Sequence, residues 1–313
     1  MRKACLDMVY ELAKKDKRIF FIGSDLAFET LKQFKENIPE RFFIEGVSEA
    51  NLIGMGAGLA LEGKIVYVNT IATFLTRRCF EQIVLDACLH NVKIRLIANG
   101  GGLVYAPLGP THLAFDDIGI LRVIPNMTII AAADAEEMRR LMPLTVDYPG
   151  PIYIRLAKGY DPIVTKDEPF QIGKIFVMRE GDDALILTTG ITLGIAQKAA
   201  KTLSAQGIET AILHVPTIKP LDVGMVRKYC QKISNIVVVE EHSIIGGLGS
   251  AVAEIIAEAN FDVPKNFKRI GVPDVFPDIY GSQENQMNKY AITEENLVAS
   301  IKQAHKIQSK LVV

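Results

Sequence analysis

Short apolar runs alternate along the chain with stretches in which apolar positions recur at helical spacing, the pattern of strand-helix-strand units with parallel strands. Runs at 18–22, 65–68, 93–98, 127–132 and 152–155 are predicted as strands, and stretches at 3–14, 49–61, 79–90 and 135–142 as helices. Asp134 ahead of Glu136 and Glu137 has the form of an N-cap followed by first-turn carboxylates. After Gly159 the pattern breaks for about twenty residues, where Pro162, Pro169 and the polar Thr165, Lys166, Asp167 and Glu168 show no period. A second series then follows, with strands at 184–188, 210–214, 236–240 and 268–272 and helices at 191–205, 223–230 and 248–259. The prediction is an α/β chain of two doubly wound, mainly parallel-sheet domains, 1–163 and a smaller 184–313, joined by a linker at 164–183.

Composition narrows the class. With 49% hydrophobic and 23% charged residues the chain has ample material for cores. Its 35 Lys plus Arg against 36 Asp plus Glu argue against a nucleic-acid partner. Mean hydropathy is high at +0.20, yet no apolar run approaches the roughly 18 residues that span a bilayer. The excess is expected inside parallel sheets and in a subunit interface, so an oligomer is predicted. Cys5, Cys79, Cys88 and Cys230 lie far apart without a CxxC, and no leader-like apolar stretch opens the chain, which together predict a reduced, cytoplasmic, zinc-free protein.

Three glycine clusters mark positions more than chemistry. Gly54, Gly56 and Gly58 fall inside a predicted helix and lack the strand-to-helix context of a dinucleotide fingerprint, so close helix packing is expected. Gly246, Gly247 and Gly249 do open a helix after a strand, either as an anion cradle or as a plain turn, and the turn is favoured because no P-loop lysine accompanies them. Gly100, Gly101 and Gly102 follow a strand end, where α/β sheets bind ligands.

Glu49 is the first candidate for chemistry, in Glu45-Gly46-Val47-Ser48-Glu49-Ala50-Asn51 at the start of a mostly apolar helix. A half-buried carboxyl there holds a proton more readily than one in water, whereas an ordinary first-turn glutamate simply answers the helix dipole. Four further stretches follow in order: Thr73-Phe74-Leu75-Thr76-Arg77-Arg78-Cys79-Phe80-Glu81-Gln82, Gly109-Pro110-Thr111-His112, Ile154-Arg155-Leu156-Ala157-Lys158-Gly159, and Val239-Glu240-Glu241-His242 running into the glycine turn. With Ile270-Gly271-Val272-Pro273-Asp274 near the end, their order and spacing resemble the C-terminal half of the transketolase family. The likeness extends to split, two-subunit transketolases and to the C-terminal part of 1-deoxy-D-xylulose-5-phosphate synthase, and it covers nearly the whole chain.

The resemblance implies a transferase dependent on thiamine diphosphate, with a pyrimidine-binding domain followed by a transketolase C-terminal domain. Glu49 matches the glutamate whose carboxyl bonds the pyrimidine N1′ and so helps activate the cofactor. Phe74 matches the aromatic residue on the aminopyrimidine face, with Phe80 as a neighbour; filling the core is the other use of such rings. His112 matches a histidine that contacts donor oxygens, against the common case of a solvated loop histidine. Arg78 and Arg155 match arginines that bind a phosphorylated substrate, unless they serve as ion pairs. Arg77 competes with Arg78, Lys158 is a weaker anion candidate, and His242 has no assigned role.

Two departures from the family pattern shape the expectation. Leu108 stands where the family carries a hydroxyl-reading aspartate, which puts the donor and acceptor in question. The chain also has no Gly-Asp-Gly with a downstream asparagine, the motif that holds Mg²⁺ and the diphosphate, and Gly181-Asp182-Asp183 does not replace it. Mg²⁺ is therefore expected on an N-terminal-type partner subunit, in an α2β2 assembly inactive without it. The expected reaction moves a two-carbon ketol unit from a ketose donor to an aldehyde acceptor. The alternatives are decarboxylative carboligation of a 2-oxo acid such as pyruvate, a 2-oxo acid dehydrogenase β subunit, and a non-catalytic assembly subunit.

Overall fold

The computed structural model describes residues 1–27, 31–157, 159 and 161–311. Among them, six strands come first: β1 Ile19–Gly23, β2 Phe42–Ile44, β3 Ile65–Ile71, β4 Ile94–Asn99, β5 Thr128–Ala131 and β6 Ile152–Leu156. Six more follow: β7 Phe176–Arg179, β8 Ala184–Thr188, β9 Thr210–His214, β10 Thr217–Lys219, β11 Asn235–Ser243 and β12 Asn266–Val272. They form a sheet of order β10-β5-β6-β4-β3-β1-β2 and a second of order β12-β11-β8-β9-β7. All pairs are parallel except those made by the edge strands β10 and β7. The α/β class and the two mainly parallel sheets agree with the sequence pattern. None of the described helices is long and apolar enough to cross a membrane.

Central strands are buried along their whole length, as a sheet covered on both faces requires. One buried charge on β4 has a local cause. The Arg95 guanidinium donates to the carbonyls of Thr145 (2.6 Å), Tyr148 (2.6 Å) and Gly150 (2.5 Å), gathering the backbone ahead of β6. Burial, with no carboxylate among those acceptors, pulls its pKa down to about 10.

The halves interlock more than the sequence suggests. β10 belongs to the second series yet pairs antiparallel with β5, closing one edge of the first sheet. β7 lies inside the stretch expected as linker and pairs with β9. Where one helix was expected over 79–90, a π-helical turn Phe74–Arg78 leads into a short α segment Phe80–Gln82 and a second π segment Ile83–Leu89. Helix Glu49–Leu61 lies against the first sheet through Gly56, where a Cβ would sit 3.0 Å from Ile94 and 3.1 Å from Val68. That is close packing against a sheet, while Gly54 of the same cluster faces Asp86 of the segment Ile83–Leu89, where a Cβ would lie 3.9 Å from the carboxylate.

Candidate active site

The carboxyl ends of β2 and β3 and the loops after β4 converge on one cluster. After β2 the chain turns through Gly46 (φ +69°), a left-handed conformation that a side chain would strain, and enters helix Glu49–Leu61. Glu49 therefore stands in the first turn, only 5% exposed. β3 runs into the π-helical turn, in which the Thr76 hydroxyl donates back to the Ala72 carbonyl at 2.9 Å. This wide turn, of a kind frequent at functional sites, carries both Phe74 and Arg78 to the Glu49 side.

Contacts link four of the candidates in series. Arg78 Nη1 donates to Glu49 Oε1 at 3.2 Å and Oε2 at 3.1 Å. Its guanidinium carbon lies 4.0 Å from the centre of the Phe74 ring. The Phe74 ring in turn meets the His112 imidazole edge-on, with centroids 5.0 Å apart. His112 ends the 3-10 turn Pro110–His112, and its Nδ1 is 2.9 Å from the Thr111 hydroxyl. Thus Glu49, Arg78, Phe74 and His112, from three separate stretches of sequence, share one place.

Other candidates fall outside that chain of contacts. Arg77 donates to Asp116 (2.8 and 3.0 Å) and to the Leu113 carbonyl (3.2 Å), so it braces the loop behind His112 and leaves Arg78 as the arginine at Glu49. Phe80 is 37% exposed and, among the described residues, shows no ring contact with Phe74. Leu108 is 49% exposed on the turn just before Gly109. Lys158 lies outside the described residues.

Arg155, expected beside a phosphorylated substrate, is sealed between the sheets. Its guanidinium donates to Asp117 (2.8 and 3.1 Å) and to the carbonyls of Ala114 (3.1 Å) and Glu241 (2.9 Å). Burial opposes the charge, but Asp117 outweighs it and raises the arginine's pKa. Asp117 at the start of a short helix was not singled out in the sequence, since an Asp116-Asp117 pair reads as ordinary first-turn acid.

The run Glu240-Glu241-His242 at the end of β11 is three anchors. Glu240 accepts from the Leu248 and Gly249 N–H groups, 2.8 Å each, so the anion held by the glycine turn is the chain's own side chain. A Cβ at Gly247 would meet that carboxylate at 2.2 Å. Glu241 accepts from the Leu103 N–H at 2.8 Å and from Gln283 at 2.7 Å. His242 Nε2 accepts from the Gly119 N–H at 3.1 Å, while Nδ1 donates to the Ser243 carbonyl at 2.7 Å. The triglycine loop is shaped by the same crowding: at Gly102 (φ +69°) a Cβ would collide with Glu241.

The chain is similar to transketolases in sequence and in structure. The model of the transketolase pyrimidine binding domain matches residues 1–160 and that of the transketolase C-terminal domain matches 173–297. A 6-deoxy-6-sulfo-D-fructose transketolase subunit from Clostridium sp. (strain MSTE9) is 35% identical over 314 residues, covering 99% of this chain and 95% of its own. An apulose-4-phosphate transketolase subunit from Phocaeicola vulgatus is 34% identical over 299 residues, covering 95% and 94%. A solved split gene transketolase, described as an inactive β4 tetramer, superposes with a TM-score of 0.89 at 34% identity over 97% of this chain and 98% of that one.

Proposed function

The chain belongs to the transketolase family, and from that premise we propose that it is the pyrimidine-binding half of a split, thiamine-diphosphate-dependent ketol transferase. The observation that carries this reading is the meeting of a buried carboxyl, an aromatic face and an imidazole in Glu49, Phe74 and His112.

These residues fit the group. Both Glu49 oxygens and the Phe74 face already receive a flat, N–H-donating cation in Arg78, so the place accepts a planar nitrogen base of that kind. When bound, thiamine diphosphate supplies a thiazolium that acts as an electron sink for the cleaved carbonyl fragment. Glu49 would bond the aminopyrimidine N1′ through a carboxyl that is only 5% exposed to water. Phe74 would set the plane of the ring through an offset stack worth about 0.5 to 1.5 kcal/mol beyond buried area. His112, braced against Phe74, would donate to a donor oxygen, and Arg78 would offer its guanidinium to an anionic substrate group.

A partner subunit would supply Mg²⁺ and diphosphate binding, since this sequence lacks Gly-Asp-Gly. Support comes from exposed apolar side chains: Phe80, just after Arg78, and Leu85, Leu89 and Leu61 further along the two helical segments that pack together there. The solved neighbour's description as an inactive tetramer of one chain type is consistent with such a division. The substrates would be a sugar-phosphate-type ketose and an aldose. Leu108, half-exposed on the turn before His112, favours a second reading in which a simple 2-oxo acid is the donor.

Glu49→Gln in the reconstituted complex tests the main reading. Turnover is expected to fall by about 10²- to 10⁴-fold while the complex still assembles. Wild-type turnover in that variant would end the proposal, and carbon dioxide release from pyruvate would select the second reading over ketol transfer.

A further inference from the structure

Arg78 occupies both contacts that the proposed function reserves for the cofactor's ring. Its guanidinium lies over Phe74 at 4.0 Å, a stacking distance, and bonds the Glu49 carboxyl. A guanidinium and an aminopyrimidine are both flat, delocalised and edged with N–H donors, so one surface can receive either. We propose that Arg78 is a displaceable stand-in: in the chain without cofactor it covers Phe74 and neutralises Glu49, and entry of the aminopyrimidine expels it into the solvent its side chain already half faces. This inference rests on the thiamine reading of the site.

The bond is built to be given up. A single nitrogen, Nη1, reaches both carboxyl oxygens at 3.1 and 3.2 Å, whereas a two-nitrogen fork in a strong pair approaches about 2.7 to 2.9 Å. The Arg78 side chain is 51% exposed, so water takes over its solvation as it leaves. Arg77, one residue earlier, shows the contrast, with Nε and Nη2 on separate oxygens of Asp116 at 3.0 and 2.8 Å. The need for a stand-in follows from Glu49, whose side chain is 5% exposed. A carboxylate so far from water would be an uncompensated buried charge if nothing took the place of the ring.

The consequence is competition. Before the ring can stack on Phe74, a contact between cation and aromatic face and an ion pair must break, so Arg78 weakens cofactor binding even though it serves the substrate afterwards. Together two such contacts correspond to roughly tenfold in an equilibrium constant. Cofactor affinity and affinity for an anionic substrate should then move in opposite directions when the arginine is removed. A side chain that merely stabilised the fold would move them together.

The test is calorimetric titration of thiamine diphosphate with Mg²⁺ into the complex of this chain and its partner subunit, comparing wild type, Arg78→Met, Arg78→Lys and Glu49→Gln. Arg78→Met should bind the cofactor about tenfold tighter while raising KM for a phosphorylated substrate, and Arg78→Lys, which keeps the charge without the flat fork, should fall between. The gain from Arg78→Met should shrink in the Glu49→Gln background. Unchanged or weaker cofactor binding by a folded Arg78→Met overturns the stand-in, and if wild type binds and Glu49→Gln weakens that binding, the thiamine reading survives. Absence of binding by both wild type and Arg78→Met overturns both. Should Arg78→Met fail to melt cooperatively, Arg78→Lys decides alone: tighter binding than wild type supports the inference and equal or weaker binding ends it.

Discussion

Arg155 on β6 and Asp117 on the helix Asp117–Arg122 form a buried two-bond ion pair within the first half of the molecule, at its contact with the second. Tyr153 adds its hydroxyl to the same carboxylate at 2.7 Å, and Arg155 continues to the Glu241 carbonyl on β11. Removing one partner of such a pair leaves the other charge without compensation in low dielectric. Asp117→Asn, which keeps shape and loses charge, is expected to cost about 3 to 5 kcal/mol in chemical denaturation. A loss below about 1 kcal/mol would mean that water reaches the pair.

Glu241, packed on that pair, makes stability depend on pH. Burial raises its pKa to about 7, against the lowering influence of Arg155 and of the bonds from Gln283 and Leu103, with Asp117 adding to the rise. In the unfolded chain a glutamate titrates near about 4.3, so between about pH 4.3 and 7 the folded state binds the extra proton. Stability therefore declines as pH rises through this window and levels off above it. Glu241→Gln keeps an acceptor for Leu103 and Gln283 and removes the titration. Its melting temperature should fall less than that of wild type between about pH 5 and 8; parallel curves would refute the assignment.

The regular part of this fold was legible because its strands are buried end to end. β4 reads as an unbroken apolar run interrupted only by Arg95, and the strands of both series agree with expectation to within a few residues at their ends. Missed elements share a physical cause. β7 and β10 are four and three residues long, too short for any period to emerge, and β10 pairs with a sheet its sequence neighbours do not join. The π-helical turns break the 3.6-residue spacing on which a helix is recognised. That irregularity is what carries Arg78 back to Glu49, so the site's central contact was hidden by the feature that makes it. Helix Glu294–Leu311 did carry its own signal, in Thr293 followed by two glutamates and in buried Leu297, Ile301 and Ala304.

Asp134 does two jobs with two oxygens. Oδ1 caps helix Ala135–Leu141 by accepting from the Glu136 and Glu137 N–H groups, 2.9 Å each, as its sequence position predicted. Oδ2 accepts from Val164 N–H (2.9 Å), Thr165 N–H (2.8 Å) and the Thr165 hydroxyl (2.8 Å), pinning the stretch between the domains. Burial would raise this carboxyl's pKa, but the bonds prevail and lower it, so its stabilisation is present at neutral pH and is lost as pH falls through the lowered value. Asp134→Ala should cost about 1 to 2 kcal/mol through the cap. It should also speed tryptic cleavage after Lys166, next to the released Thr165. Equal digestion rates in variant and wild type would show that the stretch is held elsewhere.

The exposed apolar side chains along the helix that Glu49 opens and along its neighbour give the partner proposal its sharpest test. Leu85 is 45% and Leu89 70% exposed on the segment Ile83–Leu89, which packs along helix Glu49–Leu61, and Leu61 is 58% exposed at that helix's end. Side chains so open contribute little to the core of their own chain, so Leu89→Asp should change the chain's own stability by no more than a typical surface substitution, about 0.5 kcal/mol. In a subunit interface the same change buries an unpaired carboxylate. An interface anchor lost in this way weakens association by about 2 kcal/mol or more, more than tenfold in Kd. Sedimentation of Leu89→Asp with the partner subunit should therefore show dissociation at concentrations where wild type is assembled. Because Glu49 opens the helix beside this segment, ketol transfer should fall in step with assembly and return at high partner concentration. A variant that assembles normally would move the interface to another face of the chain.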